Sequence, residues 1–367
     1  MKSRSVIHVT GAMNMGGTER MLMTLLRMKP PWKSIFLTYG TGTGTFDQEI
    51  KDLDGEIRTI PNPGSLSDHF QLFRTVKPAA VHAHTLFQSG IPLAAARAAG
   101  VPIRIAHAHT TADPSDKKGR FIYEKLMRAS IALSATDYRA CSSAAGNYLF
   151  AGKSFEVMPN LFDPKQFKRP PEAEVLRLKL KYGWTDKLVL GSVGRLTKVK
   201  NHAFMLDMLS ELHKQGIKAV LLVVGDGDQL KTLRRKAEEL SVAELVTFTG
   251  AVEDPSIYYH LMDVFLMPSL FEGLGIAALE AQASLTPVLG SEALQPEADL
   301  GGGLLYKLPL EAGSAIWAEK AISVATDSHK GTSDPVAVPP EEVLKHYYQL
   351  YRWKGGGHEQ KTADYII

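Results

Sequence analysis

Short runs of apolar residues alternate with longer segments of helix-forming residues along most of the chain. Runs such as Val6–Thr10, Ala79–Ala83 and Ala219–Val224 are too short for helices, and they predict buried strands. Segments between such runs, including Asn201–His213 and Ile276–Ala283, have strong helix formers and no breaker, so they predict helices. This alternation is typical of an α/β fold in which helices cover both faces of a parallel sheet.

The alternation is interrupted by the proline-rich, basic segment Pro164–Pro171, whose composition is typical of a linker. We therefore predict an N-terminal domain over residues 1–165 and a C-terminal domain over residues 166–340. Each is expected to be a doubly wound, Rossmann-like parallel sheet. The domains should face each other across a cleft, because ligands of such sheets bind at the carboxyl ends of the strands.

Length and composition agree with two globular domains. The chain has 367 residues, and its net charge of +3 is too small to argue for nucleic-acid binding. The single cysteine, Cys141, excludes an intrachain disulfide and fits a reducing compartment. The first apolar run is too short and too polar for a signal peptide, and no run approaches the ~18 residues of a membrane span. A cytoplasmic enzyme is expected, with peripheral association at the inner face of the plasma membrane left open.

The segment from Pro268 to Pro287 carries the most informative pattern. It follows the apolar run Val264–Met267 and begins with a glycine-bearing loop, Phe271–Gly275. Glu272 lies in this loop, and Glu280 lies eight positions later, about two helical turns away at roughly 3.6 residues per turn. Free N–H groups at the start of the following helix can bind an anion. The pattern suits a ligand with a phosphate at one end and hydroxyl groups at the other.

Two further loops follow predicted strands. The loop Gly194–Asn201 contains Arg195, with a planar guanidinium, and Lys200, with a compact charge, and this pair is suited to a diphosphate. Gly16 and Gly17 end the first strand–loop–helix unit, and their N–H groups could close over a phosphate from the opposite domain. A solvated basic loop and a tight turn are the ordinary alternatives.

Four histidines form two His-x-His pairs at the ends of neighbouring predicted strands, namely His82, His84, His107 and His109. A zinc site is one interpretation, although no nearby cysteine or acid completes a ligand set. A pair that lines the cleft is the favoured one. His109 would then donate a hydrogen bond to a substrate hydroxyl or to a developing charge.

A second metal-binding pattern is Asp226-Gly227-Asp228, which follows an apolar strand. Such a pair can hold a divalent cation beside a nucleotide diphosphate. The alternative is a polar turn at the end of a strand. We favour the turn, because Arg195 and Lys200 already supply the charge that a metal would bring. No metal and no cofactor are therefore predicted.

Basic and apolar residues are interleaved from Lys117 to Arg128. At helical spacing they form an amphipathic, cationic face that could rest on anionic lipid. An ordinary surface helix, with its apolar residues in the core, is the alternative. The residues assigned to this acceptor or membrane side are His84, Lys117, Lys118, Arg120, Lys125 and Arg128.

Together these motifs resemble the retaining glycosyltransferases of the GT-B fold, family 4 (group 1). The matched pieces fall in the family's order and cover nearly the whole chain. They are the loop from Gly16 to Glu19, His109, Pro159-Asn160 with Asp163, Arg195 with Lys200, and the E-x7-E element from Glu272 to Glu280. Segments 104–110 and 121–128 further resemble the bacterial branch that makes exopolysaccharide and capsule.

The resemblance implies a nucleotide-sugar donor, by family habit a UDP-sugar, held mainly by the C-terminal domain. Arg195 and Lys200 would hold the diphosphate, Glu280 the ribose hydroxyls and Glu272 a hydroxyl of the sugar. The other implied donor-binding residues are Gly16, Gly17, Gly194, Gly250, Gly273, Leu274 and Gly275. The acceptor, an oligosaccharide or a polyprenyl-linked glycan, would lie on the N-terminal domain. The final helix, within residues 341–367, would cross back onto that domain.

The implied reaction is glycosyl transfer with retention of configuration. Charge would accumulate on the departing diphosphate, where cations and loop amides stabilise it. The predicted catalytic residues are His109, Arg195, Lys200 and Glu272. Three rivals stay open: a metal-dependent transferase that uses Asp226 and Asp228, a sugar-nucleotide epimerase, and a non-catalytic subunit that binds a nucleotide-sugar.

Overall fold

The computed structural model describes residues 4–113, 119–159, 161–327 and 336–353, so Lys117, Lys118, Asn160 and the tail after Trp353 lie outside the described residues.

The first sheet has seven parallel strands in the order 3-2-1-4-5-6-7. They are Ser5–Val9 (β1), Lys33–Tyr39 (β2), Glu56–Ile60 (β3), Ala80–Ala83 (β4), Ile103–Ala108 (β5), Asp137–Ala140 (β6) and Glu156–Val157 (β7).

The second sheet has six parallel strands in the order 10-9-8-11-12-13. They are Leu188–Val193 (β8), Ala219–Val224 (β9), Val246–Gly250 (β10), Val264–Met267 (β11), Val288–Ser291 (β12) and Leu305–Leu308 (β13). All six side chains of β9 are buried, which explains its unbroken apolar sequence. The predicted α/β class, with two Rossmann-like parallel sheets, is confirmed.

Helices connect the strands of both sheets, as right-handed crossovers require. The α-helices are Gly17–Arg27 (α1), Asp47–Asp52 (α2), Leu66–Val76 (α3), Gly90–Ala98 (α4), Arg120–Ser134 (α5), Ser143–Phe150 (α6), Glu172–Tyr182 (α7), His202–Lys214 (α8), Leu230–Glu239 (α9), Ser256–Leu261 (α10), Ile276–Ala283 (α11), Gly313–Thr326 (α12) and Pro340–Leu350 (α13). Short 3₁₀ helices occupy Leu86–Ser89, Pro164–Phe167, Lys198–Lys200, Ala243–Leu245, Pro296–Ala298 and Leu310–Ala312.

The last helix, α13, packs against the first domain. Its residues Val343 and Tyr347, with Tyr351 after it, belong to one buried cluster with Val6 and Trp32. The rings of Trp32 and Tyr351 meet edge to face, with centroids 4.9 Å apart. The end of the described chain therefore contacts the N-terminal sheet, while the exact domain boundaries stay a prediction.

Candidate active site

Residues that follow the strands of both sheets line one cleft, with a cavity of about 700 Å³. Its walls include Gly16, Gly17, Glu19, Arg20 and His109 from the first domain, and Gly194, Arg195, Lys200, Asp226, Glu272, Gly273, Leu274, Gly275 and Glu280 from the second. The structure thus brings together most of the residues that the resemblance assigned to a donor. Gly250 was also expected in the wall. Among the described residues, the wall contains its neighbours Ala251 and Val252 but not Gly250 itself.

The glycine loop, Phe271–Gly275, accepts hydrogen bonds from the first domain. Thr111 Oγ1 donates to the carbonyl oxygen of Glu272 at 2.9 Å. Ser142 Oγ donates to the carbonyl oxygen of Gly273 at 2.5 Å, and this serine is fully buried. The two domains therefore contact each other directly at the loop.

Two glycines permit close approaches in the cleft. A Cβ on Gly273 would lie 1.9 Å from the carbonyl oxygen of His109, so only glycine allows this contact between domains. A Cβ on Gly16 would lie 2.1 Å from Oε2 of Glu19. Burial raises the pKa of Glu19, and the charge of Arg195 opposes this rise. Gly16 thus makes room for the half-buried carboxylate of Glu19, whose pKa the charge of Arg195 influences.

Lys200 and Glu272 form an ion pair inside the cleft, with Nζ and Oε1 2.7 Å apart. Glu272 is only 7% exposed, so its carboxylate is largely removed from water. The backbone joins the two loops as well, because Leu270 N–H donates to the carbonyl oxygen of Val199 at 2.8 Å. A cation assigned to the diphosphate and a carboxylate assigned to the sugar therefore contact each other.

Glu280 lies on α11 and is almost fully buried. Tyr259 Oη donates to its Oε2 at 2.5 Å, and within the described residues no hydrogen bond engages Oε1. Burial raises the pKa of Glu280, while the charge of Arg20 and the Tyr259 hydrogen bond oppose the rise. Burial and the carboxylate of Glu280 raise the pKa of Tyr259 well above its ordinary value, so Tyr259 donates as a neutral phenol. Tyr259 therefore fixes the position of Oε2, while Oε1 has no hydrogen-bond partner among the described residues.

Sequence reasoning missed Arg20 and Tyr259. Arg20 lies in the first turn of α1, where a cation opposes the helix dipole, and this unfavourable placement is a signal that could have found it. Tyr259 lies in the short helix α10 among core residues, and nothing in the sequence separates it from them.

His84 lies behind His109, and its assignment to the acceptor or membrane side stays a prediction. It is buried, and its Nδ1 lies 2.9 Å from Nε2 of His109. His8, which sequence reasoning did not single out, joins His82 and His107 in the same cluster. In two sets of three histidines, one nitrogen of each residue lies within 4.8 Å of the others. One set is His8, His82 and His84, and the other is His84, His107 and His109. Neither set contains a carboxylate or a cysteine.

Helix α5 exposes apolar side chains. Arg120 and Arg128 each lie 3.4 Å from the carboxylate of Glu124, and both are half-buried. Lys125 is exposed, with Nζ 4.3 Å from the ring centroid of Phe121. The side chains between 61% and 70% exposed are Phe121, Ile122, Leu126 and Leu133. For Phe121, Ile122 and Leu126, which lie in the segment from Lys117 to Arg128, the alternative that placed the apolar residues in the core is wrong. Within the described ranges, no helix has the length and hydropathy to cross a bilayer.

Asp226 lines the cleft, where its carboxylate accepts the N–H of Gly227 at 2.7 Å. Asp228 accepts a hydrogen bond from the amide of Gln229 instead. Among the described residues, no set of three metal-binding side chains includes either aspartate.

Comparison with known proteins identifies the family of this chain. Residues 177–299 match the family model "Glycosyl transferases group 1". Over 336 residues the chain is 34% identical to "Putative glycosyltransferase EpsF" of Bacillus subtilis strain 168, and the match covers 86% of each sequence. The chain belongs to the group 1 glycosyltransferases. This glycosyltransferase is also 26% identical to "Capsular polysaccharide biosynthesis glycosyltransferase CapH" of Staphylococcus aureus over 286 residues, which are 75% of this chain and 78% of CapH.

Solved structures agree on the fold of this glycosyltransferase. The structure of Anabaena HepE in complex with UDP and glucose superposes with a TM-score of 0.79. The superposition covers 95% of this chain and 99% of HepE, at 18% sequence identity. The predicted GT-B fold, with two Rossmann-like domains, is confirmed.

Proposed function

We propose that this glycosyltransferase transfers a sugar from a UDP-sugar to an acceptor hydroxyl, with retention of anomeric configuration. The observation that carries the proposal is the cleft between the domains, where Arg195, Lys200, Glu272 and Glu280 line one cavity. Its volume of about 700 Å³ suits a ligand of nucleotide-sugar size. UDP is favoured because HepE, which shares the fold, binds UDP and glucose in its crystal structure.

The donor would lie along the wall formed by the second domain. The free Oε1 of Glu280 would accept a ribose hydroxyl, because Tyr259 already occupies Oε2. Arg195 and Lys200 would hold the diphosphate, with the N–H groups at the start of α11 nearby. Glu272 would accept a hydroxyl of the sugar. Lys200 and Glu272 form an ion pair with each other. On donor binding this pair would either break, or each side chain would contact its partner and the donor at the same time.

The chemistry would depend on charge stabilisation. The bond between the anomeric carbon and the diphosphate oxygen breaks, and the electron pair leaves with the diphosphate. The acceptor hydroxyl attacks from the face that the diphosphate leaves, and a diphosphate oxygen takes its proton. Arg195 and Lys200 stabilise the charge that develops on the diphosphate. A carboxylate nucleophile, as in retaining glycosidases, is not needed.

The acceptor is proposed to be an oligosaccharide or a polyprenyl-linked glycan of exopolysaccharide or capsule synthesis. Two observations support this proposal. CapH, a relative over three quarters of the chain, is named for capsular polysaccharide biosynthesis. Helix α5 presents exposed apolar side chains beside Lys125, an arrangement suited to the surface of an anionic bilayer. The enzyme would then work at the inner face of the plasma membrane.

The test begins with a panel of nucleotide-sugars. A ligand at 100 times its dissociation constant should stabilise the fold by about 2.7 kcal/mol, which a thermal shift detects. The stabilising donor is then incubated with acceptor, and proton NMR follows the anomeric configuration of the first product. Retention is expected, with turnover unaffected by a chelator or by Asp226→Asn. Inversion would refute the mechanism, and loss of turnover with chelator would favour a metal-dependent enzyme.

A further inference from the structure

Three histidines form a chain that leads from the interior of the first domain to the cleft. His8 lies on β1, His84 follows β4 and His109 follows β5, and these three strands are neighbours in the sheet. His8 Nδ1 lies 3.3 Å from Nε2 of His84, and His84 Nδ1 lies 2.9 Å from Nε2 of His109. His109 lines the cleft, and within the described residues its Nδ1 makes no hydrogen bond and is not buried. Each ring therefore passes a hydrogen bond to the next.

All three rings are neutral near pH 7. Burial lowers the pKa of His8 and of His109 to about 3. Burial, followed by the neighbouring histidines, lowers the pKa of His84 well below its ordinary value. A neutral imidazole has one N–H and one lone pair, so each contact in the chain needs a donor on one side and an acceptor on the other.

Only two proton arrangements satisfy both contacts. In the first, His84 donates through Nε2 to His8 and accepts from His109 through Nδ1. His8 then carries its proton on Nε2, and His109 presents a lone pair to the cleft. In the second, every donor is reversed, and His109 presents Nδ1–H to the cleft.

The surroundings of His8, the buried end of these three hydrogen-bonded histidines, decide between the two proton arrangements. His8 Nε2 is buried without a hydrogen-bond partner in the described part of the protein, beside the ring of Phe36. A buried N–H without an acceptor is rarer in proteins than an acceptor that lacks a donor. The second arrangement leaves only a lone pair unsatisfied at that position, so it is the less costly one.

We propose that His8 and His84 are positioning residues that hold His109 as the Nδ1–H tautomer. A neutral imidazole then presents a hydrogen-bond donor to an oxygen in the cleft. Its catalytic consequence rests on the proposed function, because the oxygen would belong to the sugar or diphosphate of the donor. The competing interpretation is that the ring nitrogens of His84, His107 and His109 bind a zinc ion.

The tautomer can be read without turnover. Long-range proton–nitrogen NMR of the ¹⁵N-histidine-labelled protein at pH 7 reports which ring nitrogen carries the proton. The His109 signals are assigned by their loss in His109→Gln. The expected result is a protonated Nδ1 in the parent and a loss of this preference in His84→Phe. A protonated Nε2 in the parent, or one equivalent of zinc in the purified protein, would overturn the proposal.

His82→Phe is a matched control. His82 is also buried, and its ring centroid lies 4.2 Å from that of His84, but it bonds His107 and Tyr351 instead of His109. Its replacement should leave the His109 tautomer unchanged. An altered tautomer in this variant would indicate a general packing effect and would contradict the specific role of His84.

Kinetics provide the second readout. His84→Phe should lower kcat at least tenfold at an unchanged KM for the nucleotide-sugar, since the N–H of His109 is no longer directed into the cleft. His84→Gln, whose amide can both donate and accept, should restore part of the loss. Equal effects of His84→Phe and His82→Phe would refute the positioning role. Absence of any sugar transfer by the parent would refute the proposed function alone, because the tautomer measurement would still stand.

Discussion

Lys200 and Glu272 show how two opposite charges share one site. Their 2.7 Å contact lies in the cleft, and Glu272 is shielded from water. A buried ion pair adds little to stability, but removal of one partner leaves the other uncompensated. The kinetic effect of Lys200 must therefore be separated from its effect on folding.

Replacement of Lys200 by Ala should lower kcat by roughly 10²–10³, because a preorganised cation at the leaving group is lost. It should also destabilise the fold, since the Glu272 carboxylate loses its partner. Steady-state kinetics and urea unfolding measure the two effects. The double variant Lys200→Ala/Glu272→Gln should regain stability but not turnover. Activity of Lys200→Ala within a few-fold of the parent would contradict the diphosphate role.

Tyr259 should act on donor affinity. Tyr259→Phe keeps the ring packing against Phe167 and Phe265 but removes the hydrogen bond to Glu280. The KM for the donor should rise several-fold with a small change in kcat, and stability should fall by about 1–3 kcal/mol. Donor titrations with and without acceptor measure this. An unchanged KM would mean that Glu280 needs no second partner.

At this scale the sequence predicts charged residues better than their partners. Glu280, Arg195 and Lys200 follow strands in a recognisable order, so their position could be predicted. Tyr259 could not, because its role depends on which side chain of α11 packs against α10. The contact of His84 with His109 could not be predicted for the same reason, since alternation along a strand does not reveal what lies behind the neighbouring residue.

Helix α5 is the element whose surface most needs an explanation. Ile122, Leu126 and Leu133 recur at helical spacing on one exposed face, so the helix would contact a bilayer along this face. Arg120 and Arg128 contribute less charge than their sequence suggests, because Glu124 pairs with both.

Replacement of Ile122 and Leu126 by Ser should reduce binding to vesicles that contain anionic lipid by at least tenfold, because exposed apolar area is lost. Co-sedimentation with such vesicles measures binding. Leu176→Ser/Leu180→Ser is a matched control, since these leucines are 51% and 62% exposed on α7. Equal loss in both variants, or no loss in the first, would contradict the role of α5.

Most elements could be predicted from the sequence, but α7 and β13 are among those that could not. Helix α7 follows a proline-rich break and buries only Val175 among its eleven residues, so its apolar periodicity is weak. Strand β13 lies at the edge of its sheet and is only partly buried, and three glycines precede it. Burial produces the patterns that sequence reasoning detects, and both elements have little of it.

For the whole molecule, buried histidines predict acid lability. Burial lowers the pKa of His202 to about 4, from 6.5 in the unfolded chain, and neither ring nitrogen has a partner in the described structure. Between these values the unfolded chain binds more protons, so stability must fall as the pH drops. His202→Leu should lessen this fall by about 1.4 kcal/mol per pH unit. Urea unfolding at pH 5 and pH 7.5 measures it, and an identical pH dependence would contradict the assignment.

Contact between the domains should depend on Gly273. Gly273→Ala would place a methyl group 1.9 Å from the carbonyl oxygen of His109, so this contact between the domains could not form. UDP binding, measured by calorimetry, should change little, while kcat should fall at least 100-fold because orientation across the cleft is lost. Gly42→Ala is a suitable control, because a Cβ there meets nothing within 4 Å. Full turnover by Gly273→Ala would show that this contact between the domains is not required.

The hydrogen bonds that Thr111 and Ser142 make to the glycine loop have an evolutionary consequence. Both end on main-chain carbonyl oxygens, which every amino acid possesses. Substitution at position 272 would therefore alter the side chain proposed to contact the sugar without removing the hydrogen bonds that join the domains. Lineages of this enzyme could then change the proposed sugar contact at that position, while the hydrogen bonds that join the domains are inherited unchanged.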